Sequence, residues 1–140
     1  MLDHAIQTEH LTRTFGPLRA VDDLTLEVPR GIIFGFLGPN GAGKTTTIRL
    51  LLGLLPPSSG TARVLGYDVT TQADAIRARC GALLEHPGLY ERMSAEDNLE
   101  FFARVARLPR GERQARIRQL LTDLGLWERR RETVATWSRG

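Results

Sequence analysis

Eight consecutive residues in the first third of the chain have the composition of a phosphate-binding loop. Gly38 to Thr45 reads Gly-Pro-Asn-Gly-Ala-Gly-Lys-Thr, which matches the pattern G-x-x-x-x-G-K-[ST]. Glycine lets successive backbone N–H groups turn inward around an anion. Lys44 adds a full positive charge for the β- and γ-phosphates, and the Thr45 hydroxyl is a ligand for Mg²⁺. The loop therefore predicts a nucleoside triphosphate site.

The segments on either side of this loop are those that such a site requires. The apolar run 32–37 is short and bounded by turn residues, which predicts a fully buried strand. After the loop the apolar period becomes helical over 45–55, with one face formed by Ile48, Leu51, Leu52 and Leu55. A helix that begins near Lys44 would direct the positive end of its dipole at the anion.

The rest of the chain divides into a strand-rich first part and a helical last part. We predict strands over 5–11 and 22–28, strand and turn over 61–70, a short helix over 72–79 and a short strand over 81–84. Ser94 begins a capping box with Asp97 and opens a helix whose apolar positions are Leu99, Phe102, Ala103 and Ala106. A further helix over 112–124 carries Ile117, Leu120, Leu121 and Leu124 and ends at Gly125.

Composition limits the class of protein. The chain has 140 residues, 41% of them hydrophobic and 25% charged, as in a soluble globular domain. Its single cysteine allows no internal disulfide, and no apolar stretch reaches the ~20 residues that cross a bilayer. Residues 101–140 carry ten arginines against four acids. A nucleic-acid patch and a solvated helical face both fit this basic segment, and the regular apolar stripe between the arginines favours the solvated face.

The loop and its continuation resemble the Walker A region of an ABC transporter ATP-binding subunit, with Gly53 to Gly60 resembling the next stretch of that family. The resemblance implies an α/β fold: a P-loop NTPase (RecA-like) core with N-terminal antiparallel β strands and a helical subdomain, truncated here. It divides the chain into 1–93, the core, and 94–140, the helical subdomain. It implies nucleotide contacts from the adenine-stacking position Phe15 and from Gly38, Pro39, Asn40, Gly41, Ala42, Gly43, Lys44, Thr45 and Thr46.

Two further segments resemble motifs of the same family. Leu83 to Tyr90 resembles the Q-loop region, where Glu85 occupies the usual glutamine position. This places Glu85 as a catalytic residue and, with Thr45, as a ligand of Mg²⁺; a surface acid is the alternative. Trp137 to Gly140 resembles the start of the signature motif, with Ser-Arg-Gly instead of Ser-Gly-Gly, so that Ser138 and Gly140 would contact the γ-phosphate. Both departures are features that we associate with the drug- and antibiotic-exporter branch.

The resemblance also implies cofactors, partners and location. ATP and Mg²⁺ would lie between two ATP-binding subunits in a head-to-tail homodimer or heterodimer, and a separate membrane permease would transmit the movement. The subunit would be cytoplasmic and peripheral at the inner face of the cell membrane, and no nucleic-acid partner is expected. Nothing in the chain resembles the Walker B strand or its catalytic glutamate, which follow the signature in the family. A soluble ABC ATPase acting on ribosomes or DNA, and a non-catalytic nucleotide-binding remnant, are the alternative functions.

Overall fold

The computed structural model describes residues 4–84 and 88–137. The chain forms two compact units, residues 1–84 and residues 85–140. The first unit combines an antiparallel sheet with helices, and the second is helical. The α/β class with N-terminal antiparallel strands is thereby confirmed. The division at residues 93 and 94 into core and helical subdomain stays a prediction.

The sheet of the first unit is built around a long hairpin. Strands β1 (His4–Phe15) and β2 (Leu18–Pro29) pair antiparallel, with Phe15 opposite Leu18 at the turn. β1 also pairs with β3 (Ser59–Val64), which pairs with β4 (Tyr67–Asp68), so the order is β2-β1-β3-β4. The strands predicted at 5–11 and 22–28 are confirmed and are longer than predicted, because each continues to the hairpin turn.

Apolar and polar residues alternate along β2, and this alternation determines which side chains enter the core. Val28 is buried and Leu24 and Leu26 are half-buried, whereas Asp23, Thr25 and Glu27 are exposed. One face of the sheet therefore covers an apolar cluster while the other contacts solvent. The buried members of that cluster are Leu11, Val21, Leu50, Ala62, Val64, Val69 and Ile76.

Two helices belong to the first unit, α1 (Lys44–Leu51) and α2 (Ala73–Arg77). The predicted helix over 45–55 is correct in type but ends early, at Gly53, which has φ 63°. The Gly53 N–H bonds to the Leu50 carbonyl and the Leu54 N–H to the Arg49 carbonyl, a Schellman termination. The predicted apolar face is also rotated: Thr47 and Leu50 are the buried residues, and Ile48 is exposed.

The predicted buried strand over 32–37 is wrong, and so is the strand over 81–84. Neither segment has strand structure, and Ile33 and Leu37 are 103% and 92% exposed. Among the described residues the sheet contains only β1 to β4, so no neighbour offers the run 32–37 the backbone partners that a strand needs.

The second unit contains α3 (Ala95–Val105), α4 (Arg110–Asp123) and two short 3-10 helices, Trp127–Arg129 and Val134–Thr136. The predicted cap of α3 is confirmed: the Ser94 hydroxyl accepts from the Asp97 N–H at 3.1 Å and donates to the Asp97 carboxylate at 2.7 Å. Gly125, with φ 68°, ends α4 as predicted. The Leu126 N–H bonds to the Leu121 carbonyl in a second Schellman termination.

The core of this second unit is small. Ala95, Ile117 and Leu121 are buried, and half-buried side chains that include Leu99 and both tryptophans pack against them. Three residues that the helical spacing predicted to be apolar contacts, Phe102, Leu120 and Leu124, are 42%, 41% and 68% exposed. Within the described residues, no helix is both long and apolar enough to cross a membrane.

Candidate functional site

The glycine-rich loop leads directly into α1, in the order that the sequence predicts. Gly41 and Gly43 have φ values of 82° and 87°, the left-handed region that residues with a Cβ rarely adopt. Gly43 is the N-cap of α1 and supplies no side chain to cap it, and no acidic residue lies in the first turn. The first N–H groups of a helix have no intrahelical acceptor. The first turn of α1 therefore carries backbone donors and no acidic side chain of its own.

Gly43 is fixed by packing as well as by its backbone angle. A Cβ at this position would lie 2.1 Å from the Ala20 carbonyl oxygen of β2. The Gly43 carbonyl accepts from both the N–H and the hydroxyl of Thr47, at 2.8 and 3.0 Å. Thr47 is itself buried. The end of the loop is therefore held against β2 and locked to the first turn of α1.

Lys44 supplies the positive charge of the loop. Its Nζ donates to the Gly38 carbonyl and to the Pro39 carbonyl, each at 2.6 Å. The ammonium therefore lies across the curve of the loop, and the Ala42 N–H closes the same curve by bonding to the Pro39 carbonyl. Thr45 and Thr46 follow in the first turn of α1. An ammonium, an uncapped helix start and two left-handed glycines together fit a polyphosphate.

Phe15 lies at the tip of the β1–β2 hairpin and is 44% exposed. Its cross-strand partner, Leu18, is two residues along β2 from Ala20, the residue that Gly43 contacts. The hairpin tip and the end of the loop are thus neighbours along β2. The base-stacking position of Phe15 stays a prediction.

The remaining predicted site residues, Glu85, Ser138 and Gly140, lie outside the described residues. The structure describes the residue next to Ser138. The Trp137 indole N–H lies 3.4 Å from a carboxylate oxygen of Glu132, and the Arg129 guanidinium lies 5.0 Å from the centre of the indole ring. The hydrogen bond from Arg129 holds the pKa of the Glu132 carboxyl below its usual range. The segment leading into the predicted signature is thereby anchored by an ion pair.

The sequence did not predict an aromatic surface patch, nor the role of Asn98, which bonds the backbone of one residue of that patch. The patch consists of Tyr90, Phe101 and Phe102, whose ring centroids are 4.9 to 6.2 Å apart. All three side chains are more than a third exposed. Asn98 is 1% exposed; its side chain accepts from the Tyr90 N–H at 2.8 Å and donates to the Tyr90 carbonyl at 3.1 Å. A buried asparagine of this kind leaves no periodic signal in the sequence.

Among the described residues, five arginines of the basic segment make side-chain contacts within the second unit; one of them is Arg129, described above with Glu132 and Trp137. Arg104 and Arg113 both bond Glu100, and the Arg113 side chain is only 15% exposed. The guanidinium groups of Arg118 and Arg130 lie 5.3 and 4.3 Å from the centre of the Trp127 ring. These contacts give the arginines structural roles, which agrees with a helical face.

Comparisons with known proteins assign the family. The sequence profile of the ABC transporter family matches residues 21–140. The daunorubicin/doxorubicin resistance ATP-binding protein DrrA of Streptomyces peucetius is 40% identical over 97% of this chain, and the bacitracin transport ATP-binding protein BcrA of Bacillus licheniformis is 38% identical over 96%. The chain spans only 41% and 43% of the lengths of those two proteins.

A solved structure supports the same assignment. An ATP-binding subunit of an ABC transporter superposes with a TM-score of 0.78 at 29% identity, covering 99% of this chain and 57% of that one. The chain therefore belongs to the ABC transporter family, which confirms the resemblance seen in the sequence. Membership implies nucleotide binding, and the geometry of the loop from Gly38 to Thr45 agrees with it.

Proposed function

We propose that this protein is an ATP-binding subunit of an ABC exporter, which couples ATP binding and hydrolysis to movement of a separate membrane permease. The observation that carries the proposal is the position of Lys44 across the glycine-rich loop, at the uncapped start of α1. The naming of two relatives for drug resistance and for bacitracin transport supports the export branch. The cargo is set by the permease, so no substrate is assigned.

In the proposed site, three groups of residues bind the phosphates, Mg²⁺ and the adenine ring. The loop from Gly38 to Gly43 and the first turn of α1, including Thr46, surround the phosphates, and Lys44 neutralises the β- and γ-phosphates. The Thr45 hydroxyl and Glu85 would hold Mg²⁺, and Glu85 would also orient the attacking water. Phe15 stacks on the adenine ring. Mg²⁺ lowers the barrier to hydrolysis by compensating the charge that develops on the phosphoryl oxygens.

The proposed partners follow from the same family arrangement. Ser138 and Gly140 of one subunit complete the γ-phosphate site of a second subunit in a head-to-tail dimer. The aromatic patch of Tyr90, Phe101 and Phe102 docks the permease, because an exposed cluster of three rings offers a helix an apolar surface on which to pack, and Tyr90 belongs to the segment that resembles the Q-loop region. The subunit would then lie on the cytoplasmic face of the cell membrane, with 1–93 and 94–140 as its core and helical subdomain.

The nucleotide half of the proposal is tested with Lys44→Ala in the protein at its full encoded length. Losing charge-assisted bonds to the phosphates should weaken Mg–ATP binding by about 1.5–3 kcal/mol, or roughly 10- to 150-fold. Arg49→Ala is the matched control, since it removes a cation from the exposed last turn of the same helix. We expect its affinity for ATP, measured by calorimetry, to equal that of the wild type. Equal affinities for the wild type and Lys44→Ala would contradict the site.

The transporter half is tested with Phe102→Ser, compared with Leu124→Ser at an exposed leucine of α4. Removing one ring from the docking patch should reduce the fraction of the protein that co-purifies with membranes containing its permease, while Leu124→Ser should leave that fraction unchanged. Membrane recovery of Phe102→Ser at the wild-type level would argue against docking at this patch. Association with ribosomes or DNA instead of membranes would favour a soluble ABC ATPase.

A further inference from the structure

Arg13 connects the proposed adenine-stacking ring to the segment that follows α1. Its guanidinium carbon lies 4.6 Å from the centroid of the Phe15 ring, within the range of a cation–π contact. One guanidinium nitrogen, Nη1, donates to the Pro56 carbonyl at 2.8 Å. A single side chain therefore touches both the hairpin tip and the turn that leaves the nucleotide-binding helix.

The hydrogen bonds of Arg13 alone do not explain this placement. Its Nε is shielded from solvent and has no hydrogen-bond partner among the described residues. A buried donor that has lost water without replacement is unfavourable, so other contacts must hold the side chain in place. The face of the Phe15 ring and the Pro56 carbonyl are two such contacts.

The attachment of this turn to β1 does not depend on Arg13. The Ser58 N–H donates to the Thr12 carbonyl at 2.8 Å, and the Ser58 hydroxyl accepts from the Thr14 N–H at 3.1 Å. β3 then pairs with β1 from Ser59 onwards. The bond from Arg13 to Pro56 is therefore an addition to a turn that is already fixed, and the turn serves as the anchor for Arg13.

We propose that Arg13 is a positioning residue for adenine: it covers one face of the Phe15 ring and fixes its orientation, so that the base stacks on the opposite face. The ring is 44% exposed, which leaves area for a base. A ring fixed before binding loses less conformational freedom when the base arrives, so affinity rises without any contact between Arg13 and the nucleotide. This inference rests on the proposed function, because it needs Phe15 to be the adenine-stacking residue.

The test measures binding of Mg–ATP and of Mg–tripolyphosphate, which has no base, to Arg13→Ala in the protein at its full encoded length. Loss of the cation–π contact should weaken ATP binding about two- to fivefold. Binding of tripolyphosphate should not change, because the loop from Gly38 to Thr45 is untouched. An equal loss for both ligands would overturn the proposal by showing that Arg13 acts on the phosphate site.

A double-mutant cycle with Phe15→Ala identifies the path of the effect. If Arg13 acts through the ring, Arg13→Ala should cause no further loss once Phe15 is alanine. The same loss in both backgrounds would overturn the proposal.

Phe15→Ala measured alone distinguishes an error in the role of Arg13 from an error in the adenine position of Phe15. If it weakens ATP binding while Arg13→Ala does not, only the role of Arg13 is wrong. If Phe15→Ala has no effect on ATP binding while Lys44→Ala weakens it as expected, the phosphate site stands and the adenine position is wrong, and the proposal for Arg13 is overturned with it.

Discussion

Two segments of the first unit were both predicted to be strands, and only one of them is. β2 alternates apolar and polar residues, pairs with β1 along its length and buries Val21 and Val28. The run 32–37 begins three residues after β2 ends and is more apolar, yet it has no strand structure and exposes Ile33 and Leu37 almost fully. Higher hydrophobicity therefore did not produce more burial.

The difference lies in what each pattern requires from its surroundings. A strand that alternates apolar and polar residues needs a core on one face and solvent on the other, and β2, at the edge of the sheet, has both. A continuous apolar run is typical of a strand covered on both faces and paired on both edges, and the described residues offer the run 32–37 neither. Exposed apolar residues with unpaired backbone groups favour aggregation, so we expect this run to limit the solubility of the isolated chain.

The largest effect on the free energy of unfolding should appear when leucine is changed to alanine in β1 and, for comparison, in the run 32–37. Leu11 is fully buried in the core of the sheet, and Leu37 is 92% exposed in the run 32–37. Leu11→Ala should lower the free energy of unfolding by about 2–5 kcal/mol, and Leu37→Ala should change it by less than about 0.5 kcal/mol. Urea unfolding of the 1–140 chain measures both. Similar losses at the two positions would mean that the run is packed after all.

A smaller effect extends the comparison to the second unit, where ion pairs accompany a small core. Hydrogen bonds from Arg113 and then Arg104 hold the pKa of the Glu100 carboxyl below its usual 4.5. A carboxyl whose pKa is depressed by folding stabilises the fold above its unfolded pKa, and that stabilisation disappears as the pH falls through the folded pKa. Glu100→Gln should therefore lower stability at pH 7 and flatten the loss on acidification below about pH 4.5.

Tryptophan fluorescence can follow this unfolding, because both tryptophans of the chain, Trp127 and Trp137, lie in the second unit. Glu128→Gln at an exposed glutamate of the same unit is the control and should keep the acid dependence of the wild type. If Glu100→Gln and the wild type lose stability in parallel as the pH falls, the ion pairs with Glu100 contribute nothing measurable.

Local signals in the sequence were sufficient wherever a feature depends on neighbouring residues. The β1–β2 strands, the cap at Ser94, the stop at Gly125 and the start of α1 near Lys44 all follow from spacing within a few positions. The same reasoning found the glycine-rich loop, because its chemistry is contained in eight consecutive residues.

Features that depend on distant contacts were not predictable in this way. α1 ends at Gly53 instead of continuing to residue 55, and a Cβ there would lie 2.4 Å from that of Ala73 in α2. The burial of Asn98 depends on hydrogen bonds to residues four to eight positions earlier. The exposure of 32–37 depends on a missing neighbour among the described residues. For Gly53 and the run 32–37 the decisive neighbours belong to another segment, and for Asn98 they are backbone atoms of the turn just before α3; one sequence does not reveal their positions.

Hydrogen exchange at the backbone amides of residues 41–46, with and without Mg–ATP, tests most directly whether the loop holds the phosphates. We expect bound ATP to slow exchange at these amides, because the phosphate oxygens would accept their hydrogen bonds, and to leave the paired amides of β1 and β2 unchanged. At an ATP concentration that just saturates the wild type, Lys44→Ala should show less slowing at the same amides. If ATP binds by calorimetry and exchange at residues 41–46 does not slow, the phosphates are held elsewhere and the proposed site is wrong.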